Sequence, residues 1–273
     1  MDIHKPRPWH SFREFLKEYL IIVVGVLTAL SAEAGVEWLH WRHQAEVARQ
    51  ELTFDMKRIM AWAGATDADA PCVGARLAQI DAILDGAEAT GRLPAIGIVR
   101  VPGYGGWVMR SWSTLTYGQT LAHMSNREQL SLSALALQLD NLHQLGPQVA
   151  DHYTVLKTLT GPGRRIDGQQ IDTLRAALIA ARSNAGSLRQ GATRAETFVI
   201  QSGLLSRPQW ERAWRQGVDV ARAGGLNSGS ICAPIPMRFD GRTDGAYGRL
   251  AAPMTAPGTA RMDDMGIRGE SLK

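Results

Sequence analysis

One apolar run near the N-terminus constrains this chain more than any other feature. Residues 19–32 read YLIIVVGVLTALSA and contain no charged side chain. As an α-helix this run measures about 21 Å, and extension to Trp41, past Glu33 and Glu37, gives about 34 Å. The hydrocarbon layer of a membrane is about 30 Å thick. We therefore predict a transmembrane helix over residues 19–41.

The residues on either side of this run favour one orientation. Tyr19 at one edge and Trp38 and Trp41 at the other fit the aromatic belts of a membrane span. The basic residues before the run are Lys5, Arg7, Arg13 and Lys17. Positive charge tends to stay in the cytoplasm, so the N-terminus is predicted to be cytoplasmic. The protein is then a single-pass protein of a bacterial inner membrane, with the bulk of the chain in the periplasm.

Two alternatives remain open for the same segment. A cleaved signal peptide would use the run as its apolar region and Ala32-Glu33-Ala34 as its cleavage site. A buried helix of a soluble protein is the other alternative. The helical spacing of apolar residues continues through the supposed cut, up to about Trp62, and this favours an anchor.

A family resemblance appears over roughly residues 9–52. The stretch HSFREFLKEYLIIVVGVLTALSAEAGVEWLHWRHQAEVARQEL resembles the N-termini of uncharacterised bacterial proteins with one membrane span. These share a short polar lead, an E-Y-L entry, a V-x-G-V-L-x-A-L core and a charged, Trp-containing exit. The resemblance implies location only, since the family offers no activity to carry over.

Charge and cysteine content limit the possible functions. The net charge is +4 over 273 residues and the basic residues are scattered, so no nucleic-acid partner is expected. Cys72 and Cys232 are the two cysteines, and in a periplasm they could pair. The alternative is two free thiols. No C-x-x-C is present, which argues against redox catalysis and zinc binding.

Apolar spacing beyond the membrane segment predicts an all-α chain. The first helix is expected to end at Gly64 and a second to cover residues 73–89, followed by a Gly-rich loop over residues 90–106. Within this loop, residues 96–101 could form a short extended piece, although no partner strand is evident in the sequence. The later helices are predicted from Trp107, from Ser125 to Leu159 with a kink at Pro147, from Asp167 through a heptad over residues 171–199, and from Pro208 to Ala223. Ser125 with Glu128, and Asp167 with Gln170, are the predicted helix caps. Residues 227–273 lack periodicity and are predicted to be an extended or disordered tail, with a possible attachment near Cys232.

These elements give the predicted architecture and its boundaries. The N-terminal transmembrane helix continues into an antiparallel extracytoplasmic helical bundle. The predicted segments are a cytoplasmic lead over 1–18, the transmembrane helix over 19–41, the periplasmic bundle over 42–226 and the tail over 227–273.

A polar stripe follows the apolar run. Glu33, Glu37, His40 and Gln44 recur every three or four residues, so they share one helix face. Charged groups at a membrane edge are costly unless they face water or a partner, so this stripe could contact another protein. A solvated edge is the plainer alternative. Glu37 and His40 have the spacing of one di-iron ligand pair, but a single pair is weak evidence for a metal, and neither metal nor cofactor is expected.

An aromatic patch follows the Gly-rich loop. It consists of Trp107, Arg110, Trp112, Tyr117 and His123. Such a patch could bind a small ligand, with Arg110 holding a carboxylate. The alternative is that Trp112 and its apolar neighbours are ordinary core and the loop covers them.

The functional prediction is a non-catalytic interaction or scaffold protein of a membrane assembly. The sequence has no G-x-S-x-G, S-x-x-K or H-E-x-x-H motif, so an enzyme is not expected. The expected partners are the lipid bilayer and either a membrane protein or a second copy of the chain. A periplasmic small-ligand sensor that acts through a partner is the alternative. About 18 residues precede the apolar core, which leaves no room there for an output domain.

Overall fold

The chain is mostly helical. The computed structural model describes residues 12–102, 106–223 and 231–241. Five α-helices lie in this described part: α1 Phe12–Thr90, α2 Trp112–Tyr117, α3 Asn126–Lys157, α4 Gly168–Ser202 and α5 Arg207–Arg222. A 3₁₀ helix covers Thr120–His123. The prediction of a helical chain with one long apolar helix near its N-terminus is confirmed.

The longest element, α1, is one unbroken helix of 79 residues, which is about 118 Å long. The predicted break between Gly64 and residue 73 is therefore wrong. A proline inside a helix costs about 3 kcal/mol, because it lacks a donor and crowds the preceding turn, and a glycine costs about 1 kcal/mol. Pro71 nevertheless lies inside α1, where α4 and α5 pack along the helix. Burial against these helices offsets the local cost, which sequence spacing alone does not reveal.

The N-terminal part of α1 lies outside the folded core. The helix is long and apolar enough to cross a membrane, and none of its most apolar window is buried. The exposed apolar side chains there are Tyr19, Leu20, Ile21, Ile22, Val24, Val26, Leu27 and Leu30. The alternative of a buried soluble helix is therefore wrong for this segment. A membrane anchor and a cleaved signal peptide both remain consistent with it.

The buried apolar residues form two cores along the rest of α1. The proximal core, nearer the apolar run, contains Leu52, Met56 and Ile59 of α1 and takes residues from α3, α4 and α5. The distal core contains Leu77, Ile80 and Leu84 of α1, with residues of α3 and α4 and the C-terminal Ile231 and Ile235. Because α4 contributes to both, it joins them into one packed unit.

The heptad of α4 is buried as its spacing predicts. The buried members are Ile171, Leu174, Leu178, Ala181, Leu188, Ala192, Ala195 and Val199. Ala185 is half-buried. The predicted capping boxes also form: Ser125 and Glu128 begin α3, and Asp167 and Gln170 begin α4. Pro147 lies within α3, which continues to Lys157.

Two very short strands close the end of the molecule far from the apolar run. β1 Arg92–Leu93 pairs antiparallel with β2 Arg164–Arg165, and Ile96 forms a bridge with Gly161. The short extended piece expected near Ile96 therefore has a partner, in the turn between α3 and α4. The short helix expected from Trp107 begins only at Trp112.

Part of the predicted tail is folded onto α1. The Arg76 guanidinium of α1 donates to the carbonyl oxygens of Ile231 and Ala233. The Gln79 side chain donates to the Ile235 carbonyl at 3.1 Å and accepts from the Ile235 amide at 2.8 Å. The attachment of the tail near Cys232 is therefore confirmed, and residues 231–241 are folded onto α1 and not disordered. The other parts of the tail, residues 227–230 and 242–273, lie outside the described residues, as do residues 1–11 of the cytoplasmic lead.

Helices α1 and α5 approach each other at two glycines. A Cβ atom on Gly217 of α5 would collide with the carbonyl oxygen of Ala61 in α1, and one on Gly64 would collide with that of Trp214. Neither position has room for a side chain. Gly64 thus serves the contact with α5 and does not end the first helix.

We predict that Gly217→Ala lowers the free energy of unfolding by about 1–3 kcal/mol, because the methyl group forces the two backbones apart. Gly86→Ala is the matched control, since a Cβ atom at Gly86 meets nothing within 4 Å. It should instead stabilise the helix by about 0.4–1 kcal/mol. Urea unfolding followed by circular dichroism measures both, and equal effects at the two positions would contradict the close approach.

Glu128 gives a second prediction, because it joins α3 to α1. Arg49 donates to its carboxylate at 2.7 Å, and this contact and the Ser125 side chain lower the pKa of Glu128 from 4.5 to about 2, against the opposing effect of burial. A lowered folded-state pKa stabilises the fold fully above pH 4.5, and this stability is lost as the pH falls towards 2.

Glu128→Gln should therefore lower the free energy of unfolding by about 1–2 kcal/mol at pH 7. The difference from wild type should shrink as the pH falls from 4.5 towards 2. Glu211→Gln is the control, because Glu211 pairs with Arg207 and Arg215 on the exposed surface of its own helix. If the free energies of unfolding of wild type and Glu128→Gln differed by the same amount from pH 7 to pH 2, the stabilising role of the Arg49–Glu128 contact would be contradicted.

Candidate functional site

The polar stripe lies on the exposed part of α1. Glu33, Glu37, His40 and Gln44 are all exposed. Trp41 donates from its indole nitrogen to the Glu37 carboxylate at 3.3 Å, and the His40 ring packs edge-on against the Trp41 ring. These contacts are local to the helix, so the stripe is accessible from outside the chain.

A ring stack joins the stripe end of α1 to the folded domain. The His123 ring, at the end of the 3₁₀ helix, stacks on the Trp41 ring with centroids 4.0 Å apart and planes 10° from parallel. One turn further on, Ala45 is the first buried residue of α1. The exit of the apolar run therefore leads into the domain without an intervening linker.

The structure disperses the aromatic patch. Trp107 is buried with 4% of its surface exposed and packs against Trp62, whereas Tyr117 is 88% exposed. Trp112 packs on the proximal core, and His123 stacks on Trp41. Arg110 is exposed on the connecting loop. The five side chains therefore lie in different environments, and the packing of Trp107 and Trp112 fits the alternative of core plus covering loop.

A buried ion pair holds the loop that carries this patch. Asp55 and Arg58, one turn apart on α1, bond at 2.8 Å, and both side chains are less than 5% exposed. The other Asp55 oxygen accepts from the Ser111 amide at 2.9 Å and hydroxyl at 2.7 Å. Arg58 also donates to the Val108 carbonyl. Burial lowers the pKa of Arg58, and Asp55 opposes that effect.

Gly106 lets the same loop pass close to Trp62. Its φ is +91°, which L-amino acids with side chains rarely adopt, and a Cβ atom there would collide with the Trp62 indole. The Asp55–Arg58 pair supplies hydrogen-bond partners to the loop backbone at Ser111 and Val108, and Gly106 lets the loop pack on Trp62. We interpret them as structural.

Cys72 and Cys232 form a disulfide in the structure. Their Cα atoms are 4.6 Å apart and the residues are 160 positions apart in sequence. The bond fastens the segment at residues 231–236 to α1, beside Arg76 and Gln79, which bond the same segment. This pairing fits an oxidising compartment.

A cleft lies between α1 and α4, at a place where the sequence predicted no site. It has a volume of about 280 Å³ and is largely apolar. Small side chains open it: a Cβ atom on Gly74 of α1 or on Gly186 of α4 would meet nothing within 4 Å. Its lining residues are Thr66, Asp69, Ala70, Val73, Gly74, Leu77, Pro102, Arg182, Ala185, Gly186, Leu188 and Arg189.

A polar recess of about 160 Å³ lies beside this cleft, on the side of α5. Thr66 and Arg189 line both spaces, so the two are adjacent. Trp214 of α5 and Glu196 of α4 line the recess. Burial, and to a lesser degree the neighbouring Asp67 carboxylate, raise the pKa of Glu196.

The sequence contained one signal for this cleft. The heptad of α4 uses alanine at positions 181, 185, 192 and 195, which allows close packing but leaves space wherever the facing helix also has small residues. Ala70 and Gly74 of α1 are such residues. Their location opposite α4 depended on α1 continuing through Pro71, so the cleft could not be found from spacing alone.

We predict that mass spectrometry of the unreduced protein will find the peptides of Cys72 and Cys232 linked. The chain-entropy model gives about 4–5 kcal/mol for closing so long a loop. Reductant should lower the stability of wild type to that of Cys232→Ser and leave the variant unchanged. Two thiols that alkylate before reduction would contradict the disulfide and weaken the periplasmic assignment.

Comparison with known proteins adds no relative. No family model, curated protein or solved structure matches this chain. The resemblance of residues 9–52 to single-span bacterial proteins therefore stays a prediction. Support for a function comes from the geometry of the chain itself.

Proposed function

We propose that this protein is a membrane-anchored, non-catalytic interaction protein. Its α1 helix would cross a bacterial inner membrane with the N-terminus in the cytoplasm, and its helical domain would lie in the periplasm. There it would join a membrane protein or a second copy of the chain. The absence of nucleophile motifs from the sequence supports the non-catalytic part.

The observation that carries this proposal is the continuity of α1. One helix contains the exposed apolar run, then the exposed polar stripe, then the buried face of the domain. A partner that contacts the stripe would therefore be held in a defined orientation to both the membrane and the domain. Carboxylates at a membrane edge are costly unless they are solvated or paired, and a partner can pair them.

We further propose that the domain is an antiparallel helical bundle. Ion pairs between α4 and α1 support this arrangement: Arg175 bonds Asp85 at 2.6 Å, Arg182 bonds Asp81 at 2.7 Å and Arg189 bonds Asp67 at 3.2 Å. Positions rise along α4 as they fall along α1. The contacts of Gly64 with Trp214 and of Ala61 with Gly217 follow the same rule for α5.

The topology gives a prediction. Alkaline phosphatase needs an oxidising compartment to form its disulfides, so a fusion after Ala223 should be active in bacterial cells. A β-galactosidase fusion at the same position should be inactive. The reverse pattern would contradict a periplasmic domain. A mature protein that starts after Ala34, found by N-terminal sequencing, would instead support the cleaved signal peptide.

The interaction gives a separate prediction. In mild detergent the wild-type protein should have a molar mass above that of one chain, from a second copy or a co-purifying membrane protein. Replacing Glu33 and Glu37 by leucine should reduce the molar mass to that of a single chain, because the polar contacts with the partner are lost. Native mass spectrometry measures this.

The control for that experiment removes the same number of negative charges from the same helix. Glu46→Leu with Glu51→Leu removes two exposed carboxylates further along α1 and should leave the assembly intact. A wild type that runs as a lone chain, or equal losses in both double variants, would contradict the interaction role.

A small-ligand sensor that acts through a partner is the second candidate. The dispersed aromatic patch does not support it, but the cleft between α1 and α4 does. Since α1 also carries the apolar run, a ligand bound against it would contact the same helix that enters the membrane.

A further inference from the structure

We infer that the cleft and the recess together form a binding site for a small amphipathic organic cation, with its apolar body in the cleft and its ammonium group in the recess. This inference deepens the second candidate function and rests on it only in treating the cleft as a binding site. The binding site would exist even if the protein were neither anchored in a membrane nor associated with itself.

The charges around the two spaces select a cation. The guanidinium groups of Arg182 and Arg189 are already bonded, to Asp81 at 2.7 Å and to Asp67 at 3.2 Å. Across the described residues, no basic group or hydrogen-bond donor pairs with the Glu196 carboxylate. The charged group that acts on it is the Asp67 carboxylate, which has the same sign. An anion would have to compete with existing ion pairs, whereas a cation would relieve the repulsion between two carboxylates.

The lining of the recess favours an organic cation over a metal ion. Trp214 lines the same space as Glu196 and Asp67. An indole ring attracts ammonium groups through its electron-rich face, and this attraction strengthens where water is excluded. No group of three or more metal-binding side chains occurs within the described ranges, so the recess lacks the ligands that a structural metal needs.

The adjoining cleft adds the apolar half of the recognition. Its volume of about 280 Å³ is near the lower end of small-molecule pockets, which span about 300–1,000 Å³. Ala70, Gly74, Ala185 and Gly186 present no long side chain into it. Because Thr66 and Arg189 border both spaces, the two lie side by side, and the proposed ligand would place its apolar body in the cleft and its ammonium group in the recess.

The test uses three probes that share a phenyl ring and differ in charge: benzyltrimethylammonium, benzyl alcohol and benzenesulfonate. Each is titrated calorimetrically into the full chain in mild non-ionic detergent. The cation should bind saturably with one site per chain, at least tenfold more tightly than the neutral probe, and the anion should bind more weakly still. Equal affinity for cation and neutral probe, tightest binding of the anion, or no saturable binding of any probe would overturn the inference.

Two variants with matched controls locate the site. Glu196→Gln should remove the tenfold preference for the cation, whereas Glu51→Gln, on an exposed carboxylate elsewhere, should keep it. Gly74→Leu should abolish cation binding by filling the cleft, whereas Gly86→Leu, in equally open space on the same helix, should not. Circular dichroism verifies that all four variants fold. Unchanged binding in Glu196→Gln, or equal binding in the two leucine variants, would overturn the site.

Discussion

The unbroken course of α1 is the constraint on which the rest of the structure depends. A helix is stiff over many turns because each residue adds a backbone hydrogen bond to the one before. One continuous helix of 79 residues therefore connects the apolar run to the folded domain. α4 and α5 both pack on its C-terminal half, so the orientation of the domain to the apolar run is set within one element.

Polar side chains of α1 hold the segments that have little regular structure. Asp55 and Arg58 bond the loop that contains Val108 and Ser111, while Arg76 and Gln79 bond the segment near Ile235. Buried backbone groups must find hydrogen-bond partners, and segments outside helices cannot supply their own. Burying an arginine is costly by itself, but bonding a carboxylate and carbonyl oxygens offsets that cost.

The packing of α1 against its neighbours combines very close contacts with open space. At Gly64 and Gly217 the backbones of α1 and α5 approach until no Cβ atom fits. Along α4, small residues on both helices meet at Gly74 and Gly186 and leave a cleft. Ion pairs from Arg182 and Arg189 bridge α4 and α1 beside that cleft. The same kind of residue thus gives tight packing against α5 and a cavity against α4.

The sequence by itself determined that the chain is mostly helical, where α3 and α4 begin and which face of α4 is buried. These follow from local chemistry: a capping box uses residues three apart, and the burial of Leu178 or Val199 follows from helical spacing. Cys72 and Cys232 could also be matched, because they are the two cysteines of the chain. Only the tertiary structure decided that α1 continues through Pro71, that residues 231–236 bond Arg76 and Gln79, and that Glu196 borders a recess with Trp214. Each of these depends on contacts between residues distant in sequence, whose energies exceed or redirect the local preferences.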